Sequence, residues 1–243
     1  TVDEVLSNGA DALFVATGAG LPMFLGVPGE NLVGIFSANE FLTRINLMKA
    51  YLFPDYDTPV IRGRRVVVVG GGNVAMDAAR CALRLGGNVT LVYRRGEAEM
   101  PARREELEHA KEEGIVFRTL STPLRFIGDD SGRLKAAECQ EMELGEPDES
   151  GRRRPVPREG HTFILEVDTV VIALGTTPNP LLPSTTPGLA TSRGGTVDAD
   201  EVGKTSKLRV WAAGDVVSGA ATVISAIGQA KRAAQGIDEF LRS

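Results

Sequence analysis

Apolar residues in this chain gather in short blocks separated by glycine- and proline-rich stretches, and the blocks alternate between two periods. Residues 12–16, ALFVA, read as a buried strand closed by the turn formers Thr17-Gly18. In 37–53, SANEFLTRINLMKAYLF, the residues Phe41, Leu42, Ile45, Met48 and Leu52 fall at spacings of three and four. That spacing predicts a helix, opened by a capping box of Ser37 and Glu40 and broken by Pro54 and Pro59. Val66 to Val69 is β-branched throughout, as in a strand covered on both faces. An alanine-rich helix follows and stops at Gly86-Gly87, and NVTLVYRR (88–95) is a second strand, so 64–95 is a β-α-β unit. PARREELEHAKEEG (101–114) predicts a charged surface helix, and IVFRTL (115–120) a third parallel strand.

Beyond residue 120 the pattern changes. PLRFIG, LKAAECQEMEL and HTFILEV predict an antiparallel meander. The segment 145–160, GEPDESGRRRPVPREG, reads as a polar, mobile loop whose arginines are solvated. DTVVIALG (168–175) returns to a buried strand, and 176–206 is irregular. LRVWAAGD (208–215) predicts a strand and turn, and ATVISAIGQAKRAAQGIDEFL (221–241) a long helix. Strands alternating with helices around a parallel sheet make the fold class α/β.

The turn between the first β-branched strand and its helix carries the most chemistry. Gly70, Gly72 and Ala75 fill a G-x-G-x-x-A pattern at the head of the helix. Gly70 permits the tight turn, Gly72 lets a diphosphate approach the backbone, and Ala75 lets helix and strand pack closely. Backbone N–H groups at the positive end of the helix dipole then bind the phosphates. The end of the second strand separates the two nicotinamide carriers. A carboxylate there would bind an unphosphorylated ribose, whereas Arg94 and Arg95 suit a 2′-phosphate. NADP(H) is therefore favoured over NAD(H), and Glu97 nearby keeps the second open. Asp77 and Arg80 are spaced to pair along the helix surface.

Composition narrows the classes. The 243 residues carry a net charge of -5, which disfavours general nucleic-acid binding. No apolar run reaches membrane-spanning length, and no secretory signal opens the sequence; a cytoplasmic location is expected. Cys81 and Cys139 are too few and too far apart for a disulfide scaffold, an iron–sulfur site or a redox C-x-x-C pair. His109 and His161 read as solvated, no metal-ligand cluster is present in the sequence, and no Tyr-x-x-x-Lys pair offers carbonyl protonation. No side chain stands out as catalytic, so hydride chemistry would need a second cofactor or a missing part.

VATGA (15–19), IALGTTPN (172–179) and VWAAGDV (210–216) are apolar strands ending at a small residue or threonine and glycine, or at Gly-Asp. With FSANEFLTRIN, GGGNVAMDAAR, LVYRRGEAEMPARREELEHAKEEGI, ALGTTPNP and WAAGDVVSGAATVISAIGQAKRAA, they span nearly the whole chain. On these blocks the sequence resembles the small (beta) subunit of NADPH-dependent glutamate synthase. It is also similar to the related flavoprotein segments of dihydropyrimidine dehydrogenase and NADH-dependent ferredoxin:NADP oxidoreductase.

The resemblance implies a Rossmann-like three-layer NAD(P)-binding domain at 34–178, inserted in a partial FAD-binding domain made of 1–33 and 179–243. It implies that Gly70, Gly72, Asn73, Val74 and Ala75 hold the NADPH diphosphate, with Arg94 and Arg95 on the 2′-phosphate. Gly175 would lie near the nicotinamide–flavin junction, Gly214 and Asp215 would meet FAD, and the helix start at Thr222 and Val223 would point at the flavin ring. In such proteins NADPH passes hydride to FAD, and electrons leave through iron–sulfur clusters to a large subunit or another acceptor. The sequence lacks the family's cysteine-rich segment and first glycine motif, and it starts at Thr1 without methionine; both segments are expected upstream. On that basis the isolated chain would keep NADP(H), hold FAD weakly or not at all, and lose hydride transfer; exposed apolar surface could support a homodimer. Three alternatives stay open: a non-catalytic NADP-binding module, an NAD(P)H:ferredoxin-type subunit, and a lone dehydrogenase acting without flavin.

Overall fold

A computed structural model describes residues 1–148 and 151–243. Among these, the strands in chain order are β1 (Leu13–Val15), β2 (Leu21–Pro22), β3 (Ile35–Ser37), β4 (Arg65–Val69), β5 (Asn88–Val92) and β6 (Val116–Arg118). They continue with β7 (Ser121–Gly128), β8 (Leu134–Pro147), β9 (Arg153–Glu166), β10 (Thr169–Ile172), β11 (Thr176–Thr177) and β12 (Val210–Ala212). The α-helices are α1 (Val2–Ser7), α2 (Ala38–Leu42), α3 (Asn73–Arg84), α4 (Arg104–Glu112), α5 (Leu181–Ser184), α6 (Asp215–Ser218) and α7 (Val223–Arg242). They form two compact units, one of residues 22–175 and one of residues 1–21 with 176–243.

The unit of residues 22–175 is built on a parallel sheet in the order β3-β10-β4-β5-β6. Alternation along each strand sends neighbouring residues to opposite faces. Val66, Val68, Val89, Leu91 and Val171 pack toward α2, α3 and α4, with Phe41, Met76, Ala79 and Leu107. Val67, Val69, Val92, Val170 and Ile172 pack on the other face against Phe126, Leu134, Ala137 and Cys139 of the meander β7-β8-β9. Two covered faces explain why the strands read as unbroken apolar runs.

Residues 22–33 belong with this unit, whereas the expected divisions lie after 33 and after 178. The Glu30 carboxylate accepts the N–H groups of Leu25, Gly26 and Val27 at 2.7, 2.7 and 3.1 Å, tying the loop into a compact turn. Leu25, Val27 and Leu32 pack on the meander side of the core, and Phe126 N–H donates to the Pro28 carbonyl at 2.9 Å. Gly29, at φ 86°, lies so close to the Phe126 carbonyl that no side chain fits.

Three expectations about local structure are corrected. The predicted helix over 37–53 is only α2 followed by a π-helical turn at Thr43–Leu47 and a 3-10 turn at Ala50–Leu52, with Lys49 left-handed between them. Ser37 caps Glu40 N–H at 3.2 Å, but the Glu40 carboxylate pairs with Arg44 at 2.9 Å instead of closing the box. The expected loop over 145–160 is largely strand: β8 runs to Pro147 and β9 starts at Arg153, while residues 149–150 within it lie outside the described residues. Pro155 and Pro157 are tolerated because β9 is an edge strand with one unpaired side. Arg80 does not turn to Asp77; its guanidinium holds α4 through Glu106 at 2.9 Å and Glu113 at 2.7 Å. That pairing keeps the Glu113 carboxyl below, and the Arg80 guanidinium above, their ordinary ranges.

In the other unit β1 lies parallel to β12, with Phe14 opposite Trp211. Val2, Leu6, Val15, Val197, Val210 and Val216 form its core. Helix α7 runs against β12: the rings of Trp211 and Phe240 are 5.2 Å apart. Gly203, at φ 75°, would place a Cβ 2.8 Å from that of Ala233, so helix and turn meet without room for a side chain.

Leu91 is fully enclosed between β5 and the helical layer. Leu91→Ala should cost about 2–5 kcal/mol in urea unfolding; a loss well under about 1 kcal/mol would mean that this core is loosely packed.

Candidate functional site

The turn joining β4 to α3 is shaped by three different exclusions. Gly70 sits at φ 147°, where a Cβ would collide with the Ala173 carbonyl at the end of β10. Gly71 would place one 2.6 Å from the Tyr93 ring. Gly72 faces outward, its nearest neighbour Pro101 at 4.0 Å, and as N-cap it has no side chain to bond the helix's leading N–H groups. The N–H groups of Asn73 and Val74 have no acceptor among the described residues and are available to an anion, whereas Ala75 N–H already donates to the Gly72 carbonyl at 3.0 Å. Ala75 is completely buried against the sheet side of α3, while Val74 is exposed in the first turn.

A segment that the sequence pattern did not single out closes over this turn. The Tyr93 hydroxyl donates to the Glu99 carbonyl at 2.9 Å. Ala102 N–H then donates to the Gly71 carbonyl at 3.1 Å, and Arg103 N–H to Asn73 Oδ1 at 2.9 Å. Residues 99–103 are therefore a strap from the end of β5 to the start of α3. Asn73 spends its side-chain oxygen on the strap. Pro101, which the sequence marked only as a helix opener, was the available signal.

The two arginines at the end of β5 part company. Arg94 is exposed and makes no hydrogen bond or ion pair with any described residue. Arg95 is 7% exposed; its Nη2 lies 2.6 Å from Asp148 Oδ2 and its Nε donates to the Arg153 carbonyl at 2.9 Å. In this structure Arg95 is therefore occupied by the β8-β9 hairpin, whereas Arg94 is not. Glu97 is likewise engaged, with Lys111 Nζ at 2.6 Å. Gly175 lies three residues past β10 at φ 97°, with open space where a side chain would stand, and its carbonyl accepts Met23 N–H at 3.0 Å.

The unit of residues 1–21 and 176–243 has its own concavity, about 390 Å³, between the ends of β1 and β12 and the start of α7. Phe14, Ala16, Gly214, Asp215, Thr222 and Val223 are on its wall. Gly214, at φ 78°, donates its N–H to Gln229 Oε1 at 2.8 Å, a partner one helical turn and more into α7. Asp215 Oδ1 accepts Ala221 N–H at 3.2 Å, and its second oxygen has no partner among the described residues. Thr222 caps α7 by accepting Ser225 N–H at 3.3 Å, and Val223 is 78% exposed.

Comparison with known proteins identifies this architecture. The profile of the pyridine nucleotide-disulphide oxidoreductase family matches residues 2–234. The chain belongs to this family. It is 42% identical to the NADP(+)-dependent formate dehydrogenase subunit beta of Moorella thermoacetica, over all of this chain and 33% of that protein. It is 37% identical to the glutamate synthase [NADPH] small chain of Halomonas elongata, over 98% of this chain and 51% of that protein. The chain thus spans a third to about half of these relatives' length. A solved structure, Mycobacterium tuberculosis FprA in complex with NADPH, superposes with a TM-score of 0.76 at 22% identity, over 98% of this chain and 65% of that one. At that identity the likeness establishes the fold: α/β, Rossmann-like.

The family name refers to a disulphide, yet this chain's own cysteines form no dithiol. Cys81 packs with the helical side of the sheet and Cys139 with the meander side. Burial pushes the Cys139 thiol up to about 12, with Glu138 adding to the rise and Arg118 opposing it; the half-buried Cys81 is raised for the same main reason. Among the described residues, no helix is long and apolar enough to cross a membrane, and no three acidic, histidine or cysteine side chains are grouped to hold a metal.

Two outcomes follow from these placements. Iodoacetamide at pH 8 should leave Cys139 unmodified in the folded protein and label it in urea, since the folded thiol stays neutral there; rapid native labelling would contradict its burial. Arg95→Met should lower unfolding stability by about 1–3 kcal/mol, because the substitution removes a buried guanidinium's bonds to the Arg153 carbonyl and the Asp148 carboxylate. An unchanged denaturation midpoint would show that the hairpin does not depend on Arg95.

Proposed function

We propose that this chain is the NADPH-binding portion of a flavin-dependent oxidoreductase of the glutamate synthase small-subunit type. One conjunction carries the reading: a turn stripped of side chains, with unsatisfied helix N–H groups, and an exposed guanidinium, Arg94, at the end of the following strand. The first fits a diphosphate and the second a ribose 2′-phosphate. In this reading Gly70, Gly72, Val74 and the first turn of α3 hold the diphosphate through backbone groups. Asn73 and Ala75 contribute by shaping the turn.

We assign NADP(H) to the unit of residues 22–175, and the FAD portion to residues 1–21 with 176–243. Gly214 shapes the turn on the flavin side, Asp215 offers its second oxygen to a cofactor hydroxyl, and the N-terminus of α7 at Thr222 and Val223 presents its dipole to a flavin edge that gains negative charge on reduction. FAD, when bound, supplies the conversion from hydride to single electrons. The relatives are a subunit beta and a small chain of larger enzymes, which supports a partner protein. An iron–sulfur-bearing large subunit, in the cytoplasm, is the partner this reading favours.

Equilibrium binding to the protein tests the reading. NADP+ should bind at least about tenfold more tightly than NAD+, and Arg94→Ala should weaken NADP+ by roughly ten- to a hundredfold while sparing NAD+. Equal affinities for the two carriers would defeat it.

A further inference from the structure

Burial of Arg95 leaves the proposed 2′-phosphate subsite with one guanidinium from the end of β5, where the sequence offered two. The strap supplies a second within the same neighbourhood. It starts at the Tyr93 hydroxyl, beside the strand end that bears Arg94, and finishes at Asn73, the first residue of α3. Such a path runs from the strand end, where the adenosine ribose and its 2′-substituent lie in this type of fold, to the helix start, where the diphosphate lies. Arg103 is the strap residue at its far end. It is exposed, makes no side-chain hydrogen bond or ion pair with any described residue, and has its backbone fixed by the 2.9 Å bond to Asn73 Oδ1.

Resting on the NADP reading above, we infer that Arg103 is the second phosphate-selecting guanidinium of the site, in the place the sequence had given to Arg95. Of the nearby carboxylates, Glu97 holds Lys111 at 2.6 Å and Glu106 holds Arg80 at 2.9 Å, while Glu99 and Glu105, which have no ion pair among the described residues, make none with Arg103. Arg104, the next residue, belongs to a neighbouring cleft of about 510 Å³ with Glu97, Glu108 and Lys111, a mixed-charge setting that does not single out an anion. The arrangement also gives Asn73 a purpose its backbone position alone does not: its side chain anchors the strap that carries the selecting charge. Two arginines from different segments grip a phosphate from two directions, whereas adjacent residues on one strand end point to opposite sides.

The test is a comparison of NADP+ and NAD+ affinities, by calorimetry, for the unaltered protein, Arg103→Ala and Arg104→Ala. Alanine at 103 keeps the N–H that Asn73 accepts, so only the guanidinium is lost. Arg103→Ala should weaken NADP+ by about tenfold or more and leave NAD+ within about twofold, and Arg104→Ala should leave both within about twofold. Three results would overturn the inference while leaving the NADP reading intact: NADP+ affinity unchanged in Arg103→Ala, an equal loss for both carriers, or the loss appearing in Arg104→Ala. If the unaltered protein itself fails to prefer NADP+, the reading beneath falls and the inference with it.

Discussion

Where β4 turns into α3, backbone from one neighbouring strand and an aromatic ring from the other leave no volume for a side chain. Ala173 at the end of β10 blocks a Cβ on Gly70, and the Tyr93 ring at the end of β5 blocks one on Gly71. The central strand is thereby pressed against its two neighbours at the edge where their carboxyl ends meet. The turn that results points unsatisfied N–H groups into solvent at the head of α3. The valine-rich sheet, the alanine-rich face of α3 and the strap over residues 99–103 all depend on that close approach. A larger residue at Gly70 or Gly71 would have to move β10 or Tyr93, and with them both faces of the core.

Around this fixed point the charges are sorted by burial. Arg95, beneath the β8-β9 hairpin, satisfies the Arg153 carbonyl and pairs with Asp148, so its charge holds the meander to the end of the parallel sheet. Arg80 does the same between α3 and α4 through Glu106 and Glu113. Arg94 and Arg103, which make no side-chain hydrogen bond or ion pair among the described residues, stand where a polyanion can be met without displacing an internal ion pair. That division matters because a paired guanidinium cannot be recruited by a ligand without breaking its internal ion pair.

The second unit has the same logic with less of it. Its parallel pair ends at Gly214, whose N–H is held by Gln229, and Asp215 braces the loop before α7 with one oxygen. Of the twenty residues of α7 only Ala233 is buried, and Val223 and Ile224 stand 78% and 81% exposed at its start. The turn and helix are in place, but the wall they form is open on its apolar side.

The sequence alone determined the features whose causes are local. Glycines at fixed offsets between a β-branched run and an alanine-rich helix specify the turn, since no other residue satisfies its sterics. Unbroken apolar blocks specify strands with two covered faces. What it could not decide was which of two neighbouring arginines is available, because that depends on a hairpin more than fifty residues later in the chain. The same holds for the strap, which is recognisable only once the hydrogen bonds of Tyr93, Gly71 and Asn73 bring residues 99–103 onto the turn. Proline-bearing β9 was hidden for a related reason: its prolines read as loop formers until the sheet order makes it an edge strand. Burial and strand position belong to the whole fold, and only the tertiary structure assigns them.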